Sequence, residues 1–219
     1  MDSGGWLKGF FKTAAVTVLY AVVHTLFASE AAKKTAIRAL GARNRNAVYR
    51  PFYLLQSVGT MLILVGYIRR QPGILIINAR GLASVPFRLI QLAGVGWAVA
   101  AAYQVRFSEI LGIRPFFALL RGDALINPEP EAQGPALECT AMRVRGPFRL
   151  SRHPLNFAPL PILWFNPRLS TNLLAYNLVS TVYLVLGSRN EELRLANRYG
   201  QPYRAYQESD VPFYLPRRH

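Results

Sequence analysis

The sequence predicts an all-α fold: an integral membrane helical bundle of about five transmembrane segments, the last two a hairpin, with a cytoplasmic C-terminal helical tail. Three observations lead there. Hydrophobic residues make up 52% of the 219 and charged residues only 17%, against about 25% charged in a typical soluble domain. The apolar residues gather into runs. The basic residues, which bring the net charge to +15, fall between those runs, as loop charges of a membrane protein do.

The apolar runs are residues 10–28, 52–68, 89–105, 154–165 and 173–187. A membrane helix needs about 20 mostly apolar residues, with a lower limit near 17. The first three runs reach that limit with their flanks, and the fifth nearly does. The fourth is too short to cross as a straight helix, and it carries Pro154, Pro159 and Pro161. Proline removes a backbone donor and kinks a helix. Irregular backbone at membrane depth survives only against protein or a cavity. Residues 154–187 therefore read as a hairpin with a bent first arm and a turn at 166–170. Lys8, Lys12 and the run behind them also resemble a secretory signal, but His24 inside the run fits a retained helix better.

Of the 26 lysines and arginines, 19 fall in residues 29–51, 106–153 and 188–219. The positive-inside rule puts those three stretches in the cytoplasm. The N-terminus is then outside, the C-terminus inside, and a bacterial inner membrane is the expected location. The chain is expected to be a single domain over 1–219: three transmembrane helices in 1–105, a cytoplasmic connector in 106–153 with a turn-rich loop at 127–135, and a hairpin with the tail in 154–219.

Composition also excludes. A charge of +15 invites a nucleic-acid reading, but no basic tract is interleaved with stacking aromatics, so no nucleic-acid partner is expected. Cys139 stands alone, which rules out an intramolecular disulfide and argues against a thiolate metal site. No metal is expected.

The chemistry concentrates in residues 146–216. The stretch opens with Gly146-Pro147-Phe148-Arg149-Leu150-Ser151-Arg152-His153-Pro154. Arg152 is able to hold a carboxylate bidentately; the plainer reading is an interfacial anchor. His153 reads either as a site residue or as a cap on the segment that follows. Glu191 and Glu192 come directly after the last apolar run. They form either a solvated face paired with Arg194 or Arg198, or a site for a cation. Tyr203 and Tyr206 share one helix face, after Gly200 at a tight turn. Aromatic faces attract cations, including a sulfonium, and they also pack amphipathic helices at membrane surfaces.

Together these residues carry a family resemblance. GPFRLSRHP, then Glu191-Glu192, then Tyr199-Gly200, Tyr203, Tyr206, Val211-Pro212 and Pro216 resemble the signature of the isoprenylcysteine carboxyl methyltransferase-like membrane methyltransferases. His24-Thr25-Leu26-Phe27-Ala28-Ser29, Tyr53, and the stretch from Phe107 through Ile110 to Arg114 look like its bacterial branch. That branch holds methanethiol S-methyltransferases and the NnrU-type proteins. The resemblance covers about residues 20–217. It departs at Asn156 and Ala158, where the pattern has tyrosine and glycine, and Leu195 falls one position late.

The resemblance implies an enzyme that takes S-adenosylmethionine (SAM) as cofactor on the cytoplasmic side. It implies cofactor-binding roles for Arg152, His153, Pro154, Glu191, Glu192, Tyr203 and Tyr206. Gly94 and Gly96 in the third helix resemble a G-x-G element of related phospholipid methyltransferases, although a lone G-x-G more often reflects close helix packing. Arg152 and His153 are the candidate catalytic residues, His153 as a base and His24 as a second choice. Asn156 and His24 are the candidate substrate contacts. The expected acceptor is a small thiol or a lipophilic, prenylcysteine-like carboxylate reached from the lipid bilayer. The alternatives are a non-catalytic NnrU-like accessory protein, or a haem- or quinone-binding bundle with His24 as axial ligand.

Overall fold

The structure is a computed structural model that describes residues 4–105, 111–123, 137–138 and 141–216. Cys139, the loop at 127–135, the motif residues 107–110, Arg106 and residues 217–219 lie outside the described residues. The chain divides into two compact units. One comprises Met1–Ile74, Phe107–Pro130 and Ser170–Ser180; the other comprises Leu75–Arg106, Glu131–Leu169 and Thr181–His219.

The first unit is built on helices α1 (Gly5–Ala28) and α2 (Glu30–Arg70). Ser29 separates them and caps α2, accepting from the Ala32 amide at 3.2 Å. α1 buries Gly9, Thr13 and Thr17, small residues four apart that let backbones approach closely. A Cβ at Gly9 would collide with the Pro72 carbonyl. α2 is broken at Gly41, whose φ of 76° is left-handed; glycine takes that conformation without steric cost. Beyond the break, Arg45, Tyr49, Tyr53 and Ser57 are buried at four-residue spacing, one face of a helix. Helix α4 (Ile113–Arg121) packs beside α2.

The second unit holds strand β1 (Leu75–Asn78), helix α3 (Val85–Gln104) and the short helices α5 (Pro154–Phe157) and α6 (Pro159–Trp164). A two-stranded antiparallel ribbon, β2 (Leu137–Glu138) with β3 (Ala141–Met142), also lies here. α5 and α6 pack against α3. Trp97 donates its indole N–H to the Pro154 carbonyl at 3.0 Å, and Gln91 donates to the Ile162 carbonyl at 2.8 Å. Both carbonyls belong to the proline-rich segment.

Among the described residues, three helices are long and apolar enough to cross a membrane: Gly5–Ala28, Glu30–Arg70 and Gly81–Gln104. They correspond to the first three predicted runs. Their outward side chains include Leu55, Ile63, Leu92 and Val99, all well exposed on the isolated chain, as lipid-facing residues must be. The fourth run divides at Ala158 into the short helices α5 and α6, each too short to cross a membrane. Strand β4 (Arg168–Ser170) occupies the predicted turn. The fifth run lies in helix α7 (Thr171–Tyr199), which continues twelve residues past residue 187. Gly200 then turns the chain with φ 62° into α8 (Gln201–Glu208). The short strands are an addition to the all-α expectation; helix is otherwise dominant.

Candidate functional site

Helix α7 decides where the acidic pair points. Ser188, Glu191 and Leu195 are buried, at the i, i+3, i+7 spacing of one helix face. Glu192 lies beside that face with 15% of its side chain exposed. The helix runs on to Tyr199, so the glutamates sit away from its C-terminal dipole end, where acidic groups are disfavoured. Glu191 is buried, so it does not lie on a solvated helix face.

The opposing residues come from 151–154, held by the end of the chain. Ser151 Oγ donates to the Tyr214 carbonyl at 2.8 Å and accepts from the His153 amide at 3.2 Å. The Arg152 amide donates to the Pro212 carbonyl at 2.9 Å. His153 precedes α5 but makes no side-chain cap bond; its ring turns to the glutamates instead.

Four charged side chains meet there. Arg152 Nε donates to Glu192 Oε1 at 2.7 Å. His153 Nε2 lies 3.3 Å from that same oxygen, at ion-pair distance but without good hydrogen-bond alignment. His153 Nδ1 lies 3.3 Å from Glu191 Oε2. Asn156 Nδ2 donates to this second oxygen at 3.0 Å and to Ser188 Oγ at 2.9 Å. His153 is thus clamped between two carboxylates with 1% of its side chain exposed. The Phe213 ring covers it edge-on, centroids 5.0 Å apart. Arg152 spends Nη1 on the Gln207 and Val211 carbonyls, both at 3.0 Å. A bidentate grip on a ligand carboxylate would have to displace one of these bonds.

The electrostatics follow from this geometry. Burial alone lowers the His153 pKa, but the close Glu191 and Glu192 carboxylates outweigh it and raise it above 6.5. Burial pushes Glu192 up, yet His153 and Arg152 prevail and hold it below its ordinary value. Tyr203 and Tyr206 are pushed well up by burial, so both stay neutral phenols. Burial pushes Tyr214 up to about 12, partly offset by Ser188.

The other candidates divide. Pro154 is buried beside the cluster and holds Trp97 through its carbonyl. Tyr203 and Tyr206 pack with Leu195 in one core cluster, ring centroids 5.9 Å apart. Tyr206 donates to the Phe148 carbonyl at 2.6 Å. The Tyr203 hydroxyl is fully buried with no hydrogen-bond partner among the described residues. Gly94 serves packing: a Cβ there would meet Pro161 Cγ at 2.9 Å, Ile162 Cγ1 at 3.0 Å and the Ala158 carbonyl at 3.2 Å. Gly96 is exposed and would meet nothing within 4 Å. His24 lies in the first unit. Its Nε2 is 2.6 Å from the Tyr53 hydroxyl and its Nδ1 3.0 Å from Ser57 Oγ. An axial-ligand role would break one of those bonds.

Sequence reasoning missed Ser188, Tyr214 and Phe213. Ser188 had a signal, since it lies three residues before Glu191 on the same face. Tyr214, whose hydroxyl donates to the Asn156 carbonyl at 2.7 Å, had none, because its partner lies 58 residues away in sequence.

Known proteins agree with this reading of the family. No protein-family model and no solved structure matches the chain. A methanethiol S-methyltransferase from Pseudomonas deceptionensis is 24% identical over 222 residues, covering 99% of this chain and 77% of the relative. Methanethiol S-methyltransferase 2 from Bradyrhizobium diazoefficiens is 26% identical over 201 residues, covering 91% and 70%. A third, from a Pseudomonas species, is 27% identical over 132 residues, 59% of this chain and 46% of its own length. The chain is therefore similar along nearly its whole length to proteins named methanethiol S-methyltransferase, the bacterial branch that the sequence resemblance pointed to.

Proposed function

We propose that this protein is a membrane methyltransferase that moves a methyl group from SAM to a small thiol of the methanethiol kind. The observation that carries the reading is the convergence of Arg152 and His153 on Glu191 and Glu192. The names of the relatives supply the acceptor class.

The donor set suits such a cofactor. Two carboxylates in a partly desolvated place favour a cation, because charges interact more strongly at low dielectric. The neutral phenol of Tyr203 offers a hydroxyl with no partner among the described residues, and aromatic faces complement a sulfonium. When bound, the cofactor supplies a methyl carbon already activated for in-line displacement. The protein's share is orientation and exclusion of water. The acceptor reacts as its thiolate, and His153 is the group placed to take the thiol proton whenever its ring is neutral. Pro154, Asn156 and Tyr206 complete the proposed surroundings, Asn156 by fixing Glu191; a cofactor role for Gly94 and Gly96 rests on the sequence resemblance alone.

The proposed topology has five segments, an outside N-terminus, and the cluster on the cytoplasmic face of a bacterial inner membrane. A small apolar thiol reaches it from the bilayer. The test is purification in detergent, methyl-labelled SAM, and a panel of methanethiol, larger thiols, prenylcysteine analogues and amines. Labelled dimethyl sulfide from methanethiol is expected. Absence of saturable SAM binding overturns the reading.

A further inference from the structure

We propose that the exposed face of helix α4, with the basic stretch of α2 beside it, is a docking surface for the headgroups of an anionic lipid leaflet. The inference lies outside the methyl-transfer reading and does not depend on it.

α4 and α2 belong to the same compact unit, and both ends of α4 are tied to α2. Gly112, before the first turn of α4, has a left-handed φ of 70°. A Cβ there would meet Pro51 Cδ at 2.7 Å and Arg50 Cβ at 2.9 Å. At the other end Arg43 donates to the Asp123 carbonyl through Nε at 3.2 Å and Nη2 at 2.9 Å. α4 therefore lies along residues 43–51 of α2. The apolar run of α2 starts directly after this stretch, at Phe52. From Phe52 to Arg70 the helix rises about 28 Å, close to the ~30 Å of a hydrocarbon core. Residues 43–51, and α4 with them, therefore run through the headgroup zone.

The pattern of α4 suits that level. Ile113, Phe116, Phe117 and Leu120 are exposed, and their i, i+3, i+4, i+7 spacing makes one continuous stripe. Pro115, Ala118 and Leu119 on the opposite side are half-buried. Arg114 and Arg121 are exposed on a third face, next to the stripe. Neither has an ion-pair partner among the described residues. An apolar stripe of phenylalanine and leucine beside arginines is the pattern of a helix at a membrane surface.

Charge decides the occupant. Residues 30–50 hold six lysines and arginines against one acid, Glu30. A second copy docking by this same face would set like charges against each other, which is costly. An anionic leaflet supplies acyl chains for the stripe and phosphates for the arginines in one surface. Phe52 and Leu55, exposed at the start of the adjoining span, face the same lipid.

The test uses the full-length protein with Cys139→Ser and Phe117→Cys, carrying a bimane fluorophore at position 117. It is reconstituted in vesicles of equimolar phosphatidylcholine and phosphatidylglycerol, one of the two brominated in each preparation. Bromine quenches from the lipid and acrylamide quenches from the water. Brominated lipid is expected to quench and acrylamide is not. Brominated phosphatidylglycerol should quench more than brominated phosphatidylcholine. Arg114→Gln and Arg121→Gln should each lower that preference by up to about fivefold, and added salt should lower it too. Leu120→Cys is the second labelling position should Phe117→Cys not fold. Strong quenching by acrylamide overturns the proposal, because the stripe is then in water. Protection from every quencher overturns it in favour of a protein partner. Equal quenching by the two lipids, or a preference unchanged in both arginine variants, also overturns it. None of these outcomes bears on SAM binding, which the labelled-donor assay tests separately.

Discussion

Arg152 and Glu192, forty residues apart in sequence, are joined by a 2.7 Å hydrogen bond from Nε to Oε1. The same guanidinium also holds two backbone carbonyls, Gln207 and Val211. This one side chain therefore ties α7, the segment before α5 and the end of the chain together.

Arg152→Ala should be more damaging than Glu192→Gln. The first removes the carboxylate bond and both carbonyl bonds; the second removes only the charge at one acceptor. Hydrogen bonds to charged groups are each worth about 1.5–3 kcal/mol, and partial exposure of this pair favours the lower end. Thermal melts in detergent should rank native above Glu192→Gln above Arg152→Ala. Glu192→Gln should still fold, and it should lose SAM binding by calorimetry.

Stability should have two pH limbs with opposite signs. His153 has a raised folded pKa, so its contribution is full below the unfolded value near 6.5 and is lost as pH rises through the raised value. Glu192 has a lowered folded pKa, so its contribution is full above the unfolded value near 4.5 and is lost as pH falls through the lowered value. Melting temperature in the absence of ligand should therefore decline on both sides of a plateau. His153→Gln should flatten the alkaline limb, and an unchanged limb would show that another group titrates there.

Tyr203 and Tyr206 look equivalent in sequence but should respond oppositely to loss of the hydroxyl. Tyr206→Phe leaves a carbonyl on Phe148 without its 2.6 Å donor, at a cost of about 1–3 kcal/mol. Tyr203→Phe removes a buried hydroxyl that has no partner among the described residues, so the ligand-free protein should be unchanged or slightly more stable. Weaker SAM binding by Tyr203→Phe at undiminished stability would mark that hydroxyl as a ligand contact.

Gly94 and Gly96 separate in the same way. Gly94→Ala pushes a methyl into Pro161, Ile162 and the Ala158 carbonyl; overpacking of this kind costs about 1–3 kcal/mol. Gly96→Ala meets nothing and gains up to about 1 kcal/mol of helix propensity. A melt of each variant checks the contrast. SAM affinity of Gly96→Ala then decides between a cofactor element and simple helix packing.

The sequence alone was enough to place the three long apolar helices, because membrane spans depend on length and composition within one continuous segment. It also marked the proline-rich segment 154–165 as one that would not form a single straight helix, because proline acts on its own backbone, and Gly200 as a turn. It pointed to Arg152, His153, Glu191 and Glu192 through motif order. What it left open was the partner of each charge. Glu191–Glu192 was equally compatible with Arg194 or Arg198 on a wet helix face, and His153 with a cap. Only the fold turned Ser188, Glu191 and Leu195 inward and brought residues 207–214 back over Arg152. Those pairings are set by contacts between segments dozens of residues apart. Local pattern says which face a residue occupies, but not what stands opposite, and the charge balance of this cluster depends on what stands opposite.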